Sequence, residues 1–116
     1  MTMQLPASAD ALAIEISEKD GRTVVALRGA LDAGTAPRLH EQFAELSRRG
    51  VSLVDLDIAR LEFMDSSGLS VVVAEHKRVQ SDGGGMVIHH PSRRVIRLFQ
   101  MHGLMSYLVV QPRMSI

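Results

Sequence analysis

The chain has 116 residues, no cysteine, and 46% apolar against 22% charged residues, enough for one domain with a single core and too little for a second. That composition excludes a multi-domain enzyme, a disulfide-stapled scaffold, thiolate metal sites and a cysteine nucleophile. Thirteen bases balance thirteen acids, so no net field gathers nucleic acid or an anionic membrane surface.

The balance hides an asymmetry: residues 1–82 hold all 13 acids and nine bases, whereas residues 83–116 hold four arginines and no acid. No apolar run approaches the ~20 residues of a membrane-spanning helix, and no basic stretch leads into an apolar one at the start. A soluble, cytoplasmic protein is expected, with no direct membrane insertion and no direct nucleic-acid contact.

Residues 1–10 show no sustained period and read as a loose leader ahead of one domain at 11–116. Leu12, Ile14 and Ile16 alternate with Ala13, Glu15 and Ser17, the period of a half-buried strand. Lys19-Asp20-Gly21 is hairpin-turn chemistry, and Thr23 to Leu27 continues as an antiparallel return strand that Gly29 is expected to break. Asp32 to Pro37 offers a helix start, with Thr35 placed to accept from early backbone N–H groups and Pro37 in the first turn. Leu39, Phe43 and Leu46 then recur at i, i+4 and i+7, predicting an amphipathic helix that stops at Gly50.

Val51 to Ile58 is apolar apart from Asp55 and Asp57 and reads as a central strand, with Asp57 near its C-terminal end. Ala59 to Asp65 is expected to be a connection. Leu69, Val72, Val73, His76 and Val79 predict a second helix, closed by Gly83-Gly84-Gly85. Met86 to Ile88 gives a short strand. Ser92 caps a third helix, with Val95, Leu98 and Phe99 inward, Arg93, Arg94 and Arg97 mostly outward, and Gly103 at its end. Tyr107 to Val110 is a last strand before Pro112. The order β-β-α-β-α-β-α-β implies a single α/β domain whose sheet is antiparallel at one edge and parallel elsewhere, with helices packed on it.

Most enzyme chemistries lack their residues. No phosphate loop, dinucleotide fingerprint, nucleophile elbow or His-Glu-x-x-His occurs. His89 and His90 are adjacent on a strand end, pointing to opposite faces, and cannot readily share a metal. His76 falls on a core-facing stripe, and His40 and His102 lack evident carboxylate partners. No metal site and no cofactor is predicted.

One run stands out: Asp65-Ser66-Ser67-Gly68-Leu69 at the mouth of the second helix. Asp and Ser are ordinary N-caps. A cap needs one such residue, however, and three followed by a glycine leave at least one hydroxyl free and a closely approachable backbone. Phosphorylation there adds about −1.5 to −2 charges, which the helix dipole and free N–H groups should tolerate. A docked partner would not tolerate it: one carboxylate at ~4 Å costs about 4 kcal/mol per charge at an effective dielectric of 20, nearly a thousandfold in affinity.

The sequence resembles the STAS domains, and among them the anti-sigma factor antagonists of bacteria. The resemblance runs through Gly29-Ala30-Leu31-Asp32, Leu56-Asp57, Phe63 to Leu69, the Gly84 region, and Val95 to Leu104 with Phe99 and Gly103. It implies a non-enzymatic regulator of transcription. Unphosphorylated, such a protein binds an anti-sigma factor that is also a serine kinase and frees a sigma factor; the kinase inactivates it by phosphorylating the serine after the aspartate, and a serine phosphatase restores it. Carried onto this chain, the acceptor is Ser66, with Ser67 and Gly68 beside it and Asp57 and Asp65 as flanking carboxylates in the partner-binding region. Members often carry a fourth helix after the last strand; the sequence ends at Ile116, so that helix is expected to be missing.

Two other functions compete. A STAS subunit could dock on a membrane transporter of the phospholipid or sulfate type, with Arg93, Arg94 and Arg97 as its face. A small hydrolase using Ser66 or Ser67 would need a positioned histidine base and an oxyanion site, neither of which is evident.

Overall fold

A computed structural model describes residues 11–111. Five strands form one sheet in the order β1-β2-β3-β4-β5: β1 (Leu12–Lys19), β2 (Arg22–Leu31), β3 (Leu53–Met64), β4 (Gly85–His89) and β5 (Val109–Gln111). Helices α1 (Ala36–Arg48), α2 (Ser66–Ser81) and α3 (Arg93–Met101) connect the parallel strands. Only β1 is antiparallel to its neighbour. Strands laid down in sequence order with right-handed crossovers put all three helices on one face.

The alternation seen in the sequence sets that face. Leu12, Val25, Leu56, Ile58 and Ile88 point into the helices and are buried, while Glu15, Ala26, Asp57 and His89 occupy the opposite face of the sheet. Leu39, Phe43 and Leu46 of α1, Val72 and Val79 of α2, and Val95 and Phe99 of α3 close the core. Fully burying each such side chain is worth roughly 1.5–3 kcal/mol.

The opening hairpin forms as expected: Lys19 pairs with Arg22 around Asp20 and Gly21, both at positive φ (55° and 80°), the two-residue turn that matches strand twist. Each helix ends on a glycine at positive φ, Gly50, Gly83 and Gly103. The residue after each glycine donates its N–H to a carbonyl one turn back, from Val51 to Leu46, Gly84 to Val79 and Leu104 to Phe99.

Four expectations need correction. Gly29 does not end β2, which runs on to Leu31. It stands at φ +106°, where a Cβ would lie 2.1 Å from the Ala11 carbonyl oxygen, so the glycine admits the start of β1 against β2. Thr35 sits at the N-cap of α1 without capping it: its hydroxyl accepts from Asp32 N–H and donates to the Ala30 carbonyl oxygen, while the Asp32 carboxylate takes the Gly34 and Thr35 N–H groups.

The largest correction is in β3, which continues through the expected connection to Met64, paired with β2 at Arg60, Leu61, Phe63 and Met64. Two register shifts give β3 an extra residue each time, and its buried positions run Ile58, Leu61, Met64. That spacing of three hides a bulged strand from a period-two reading. At the far edge, β5 begins at Val109 and Tyr107 lies in the turn before it. The leader at 1–10, Pro112 and the expected lack of a terminal helix lie outside the described residues.

Candidate functional site

The site stands where β3 becomes α2, at the carboxyl edge of the sheet. Leu31 pairs with Met64 as the last partners of β2 and β3, and Asp65 N–H donates to the Leu31 carbonyl oxygen at 3.1 Å. Asp65 is the N-cap. Its Oδ1 accepts from Ser67 N–H at 2.9 Å and Gly68 N–H at 3.1 Å, and its carbonyl oxygen accepts from Leu69 N–H at 2.9 Å. Asp65 therefore satisfies the Ser67 and Gly68 N–H groups without either serine hydroxyl.

Ser66 is the first residue of α2 and is exposed. Its side chain has no hydrogen-bond partner among the described residues; its carbonyl oxygen accepts from the Ser70 hydroxyl at 2.9 Å. Ser67 is half-buried, and neither serine is hydrogen-bonded to a histidine among the described residues. One physical expectation changes. Because the Asp65 carboxylate already occupies two of the first-turn N–H groups, a phosphate on Ser66 meets a helix end whose positive pole is partly neutralised. It would be accommodated by solvent exposure more than by the dipole.

Gly68, expected among the residues open to a partner, is buried. A Cβ there would fall 2.6 Å from Leu31 Cγ and 2.8 Å from the Leu31 carbonyl oxygen. The close approach that a glycine permits is used inside the fold, to seat the first turn of α2 against the end of β2.

Asp57 is also displaced. It lies mid-strand on the face without helices, where its Oδ1 accepts from Ala59 N–H at 3.0 Å across the first register shift. From Asp57 to Met64 the bulged strand runs opposite Ala26 to Leu31 of β2, roughly 17 Å of sheet, so Asp57 does not flank Ser66. Asp32 takes that place: it follows Leu31 as Asp65 follows Met64, and the two carboxylate residues leave the paired strands side by side. The Gly29-Ala30-Leu31-Asp32 run was the sequence signal, but without the strand pairing nothing joined it to Ser66.

Other ionisable groups build the frame. On the face without helices, Asp55 accepts from Arg22 Nε at 2.9 Å and lies 3.0 Å from His89 Nε2. Burial would raise the Asp55 carboxyl, but Arg22 and His89 together outweigh it and hold it below the ordinary carboxylate range. His89 is thus tied to β3, and the His89 and His90 rings stand 6.1 Å apart.

Glu75, not singled out in the sequence, is buried in α2 and held by two hydrogen bonds from Arg78, which also donates to the Val51 carbonyl oxygen at 2.7 Å. Burial raises the Glu75 carboxyl in spite of that pairing. His76 is 1% exposed, with Tyr107 edge-on at 4.7 Å and no hydrogen bond to either ring nitrogen. Burial pushes its imidazole below the usual histidine range, opposed in part by the nearby Tyr107 backbone. No helix among the described residues is long and apolar enough to cross a membrane.

Residues 13–115 match the model of the STAS domain. The chain is 34% identical over 100 residues to the anti-sigma F factor antagonist of Paenibacillus polymyxa, covering 85% of this chain and 86% of that protein. Its fold matches the crystal structure of a protein from Thermotoga maritima described as an anti-sigma factor antagonist, with a TM-score of 0.81 and 20% identity over 87% of each chain. It also matches the Bacillus cell fate determinant SpoIIAA, solved unphosphorylated (TM-score 0.71, 21% identity, 88% of this chain and 90% of that one) and phosphorylated (0.70, 23%, 87% and 93%). With the family model matched over nearly the whole described chain and a relative 34% identical over 85% of it, the chain belongs to the STAS domain family, among the anti-sigma factor antagonists.

Proposed function

We propose that the unmodified protein docks on an anti-sigma factor that is also an ATP-dependent serine kinase, releasing the sigma factor it holds, and that phosphorylation of Ser66 ends the interaction until a serine phosphatase reverses it. The observation that carries this reading is the exposed Ser66 side chain, relieved of any capping duty by Asp65. The protein itself catalyses nothing; it is a binding module and the substrate of its partner.

Asp65, Ser66 and Ser67 form the contact region in this reading, with Asp32 replacing Asp57 as the second carboxylate. The related SpoIIAA keeps a similar match to this fold in both its forms, which favours a switch that acts on the complex and leaves the domain intact. An added dianion facing even one partner carboxylate at ~4 Å costs on the order of several kcal/mol, enough to end a micromolar interaction.

The test is incubation with the anti-sigma kinase of its own host and ATP, read by intact mass and site mapping. One phosphate, on Ser66, is expected, and Ser66→Asp should bind the kinase at least a hundredfold more weakly than Ser66→Ala. An unmodified Ser66, or equal binding by the two variants, overturns the proposal. Co-purification with an ATP-binding transporter subunit in place of the kinase would favour the transporter reading.

A further inference from the structure

A groove of about 430 Å³ runs along α2 from Ser66 to Lys77, walled on its other side by His102 and Leu104 just beyond α3. Its α2 wall repeats at helical spacing and spans three turns, roughly 16 Å. Leu69, Val73 and Leu104 give it an apolar lining. Its one charged lining residue is Lys77, which is exposed and pairs with no carboxylate among the described residues, and no acid lines the groove. Met101, 74% exposed, and Met105, 38% exposed, flank the His102–Leu104 wall in sequence and offer the adaptable thioether surface that binding grooves use.

We infer that this groove receives one amphipathic helix of the anti-sigma partner, lying antiparallel to α2 with an acidic residue of its first turn against Lys77. The inference rests on the Ser66 reading and extends it. The length suits about three turns, and the apolar lining suits anchors spaced i, i+3 or i+4, and i+7. The Lys77 ammonium at one end calls for an acid, and acids favour the first turn of a helix. That orientation brings the carbonyl end of the visiting helix to Ser66, against the N-terminus of α2. An unmodified serine leaves that end compatible with the incoming partial negative charge; a phosphate opposes it. The groove thus makes the rim position of Ser66 decisive without any movement of the domain.

The experiment measures binding of the full chain to the anti-sigma factor of its own host, for wild type, Lys77→Glu, Lys77→Gln and Ser66→Asp, each first checked for an unchanged melting curve. Lys77→Glu should weaken binding about tenfold and Lys77→Gln about threefold, and the loss should shrink between about 50 and 300 mM salt. A photo-cross-linker at exposed Ala74 should capture an acidic amphipathic helix of the partner. If Lys77→Glu binds like wild type while Ser66→Asp does not bind, the groove proposal falls and the switch stands. If Ser66→Asp binds like wild type while Lys77→Glu is weakened, the switch falls and the groove stands. A cross-link to a basic or non-helical segment, or to a second copy of this chain, overturns the groove proposal.

Discussion

At the scale of single residues, capping and the proposed switch are divided between neighbours. Asp65 satisfies the α2 N-terminus and Ser66 is left to solvent, so their substitutions should separate. Asp65→Ala should lose about 1 kcal/mol of stability in urea denaturation. Ser66→Ala should change it by less than about 0.5 kcal/mol, as an exposed position away from such features does. Gly68→Ala is a third case. Its methyl would press on the buried Leu31 side chain and on the Leu31 carbonyl oxygen, and the backbone cannot yield as a side-chain tip can. A loss of about 1–3 kcal/mol is expected, read as a lowered denaturation midpoint with an unchanged slope. The same residue shows the limit of reading glycine from sequence: Gly68 is legible as a close approach, but whether the approaching group is a partner or Leu31 depends on where β2 ends.

At the scale of elements, α2 carries both the proposed switch residue, Ser66, and a buried histidine. His76 binds fewer protons folded than unfolded, since burial lowers its pKa while the unfolded value stays near 6.5. The sign follows from linkage. The stability it permits is present above about pH 6.5 and is lost as pH falls through the depressed folded value. Glu75 acts oppositely: its raised pKa removes stability as pH rises through the folded value. The clean measurement is therefore a difference. Between about pH 7.5 and pH 5, wild type should lose more stability than His76→Leu, and parallel losses would show that folded His76 takes up its proton as readily as the unfolded one. The element boundaries show where periodicity works. Helices α1 and α3 were legible because Leu39, Phe43 and Leu46, then Val95 and Phe99, keep one face. β3 was cut short because its two register shifts turn period two into spacings of three.

At the scale of the whole molecule, the three helices of the described residues share one face of the sheet, and Ser66 stands at its carboxyl edge beside Asp32. A phosphate placed there touches no core residue, so the domain should not rearrange. In a ¹⁵N-labelled sample of the phosphorylated protein, amide shifts should move near residues 62–70 and 31–35 and hold elsewhere, with a melting temperature within a few degrees of the unmodified form; changes spread through β4 and β5 would indicate a global switch. The sequence by itself determined the element types, the antiparallel edge, the Asp20-Gly21 turn, the helix stops and the serine worth testing. All of these rest on interactions within a few residues, where period, capping and turn chemistry act directly. Tertiary structure decided what lies opposite what: the length of β3, the burial of Gly68 on Leu31, the removal of Asp57 from the site and the arrival of Asp32. Those depend on strand register and crossover direction, which contacts between distant segments set and which no local spacing of residues encodes.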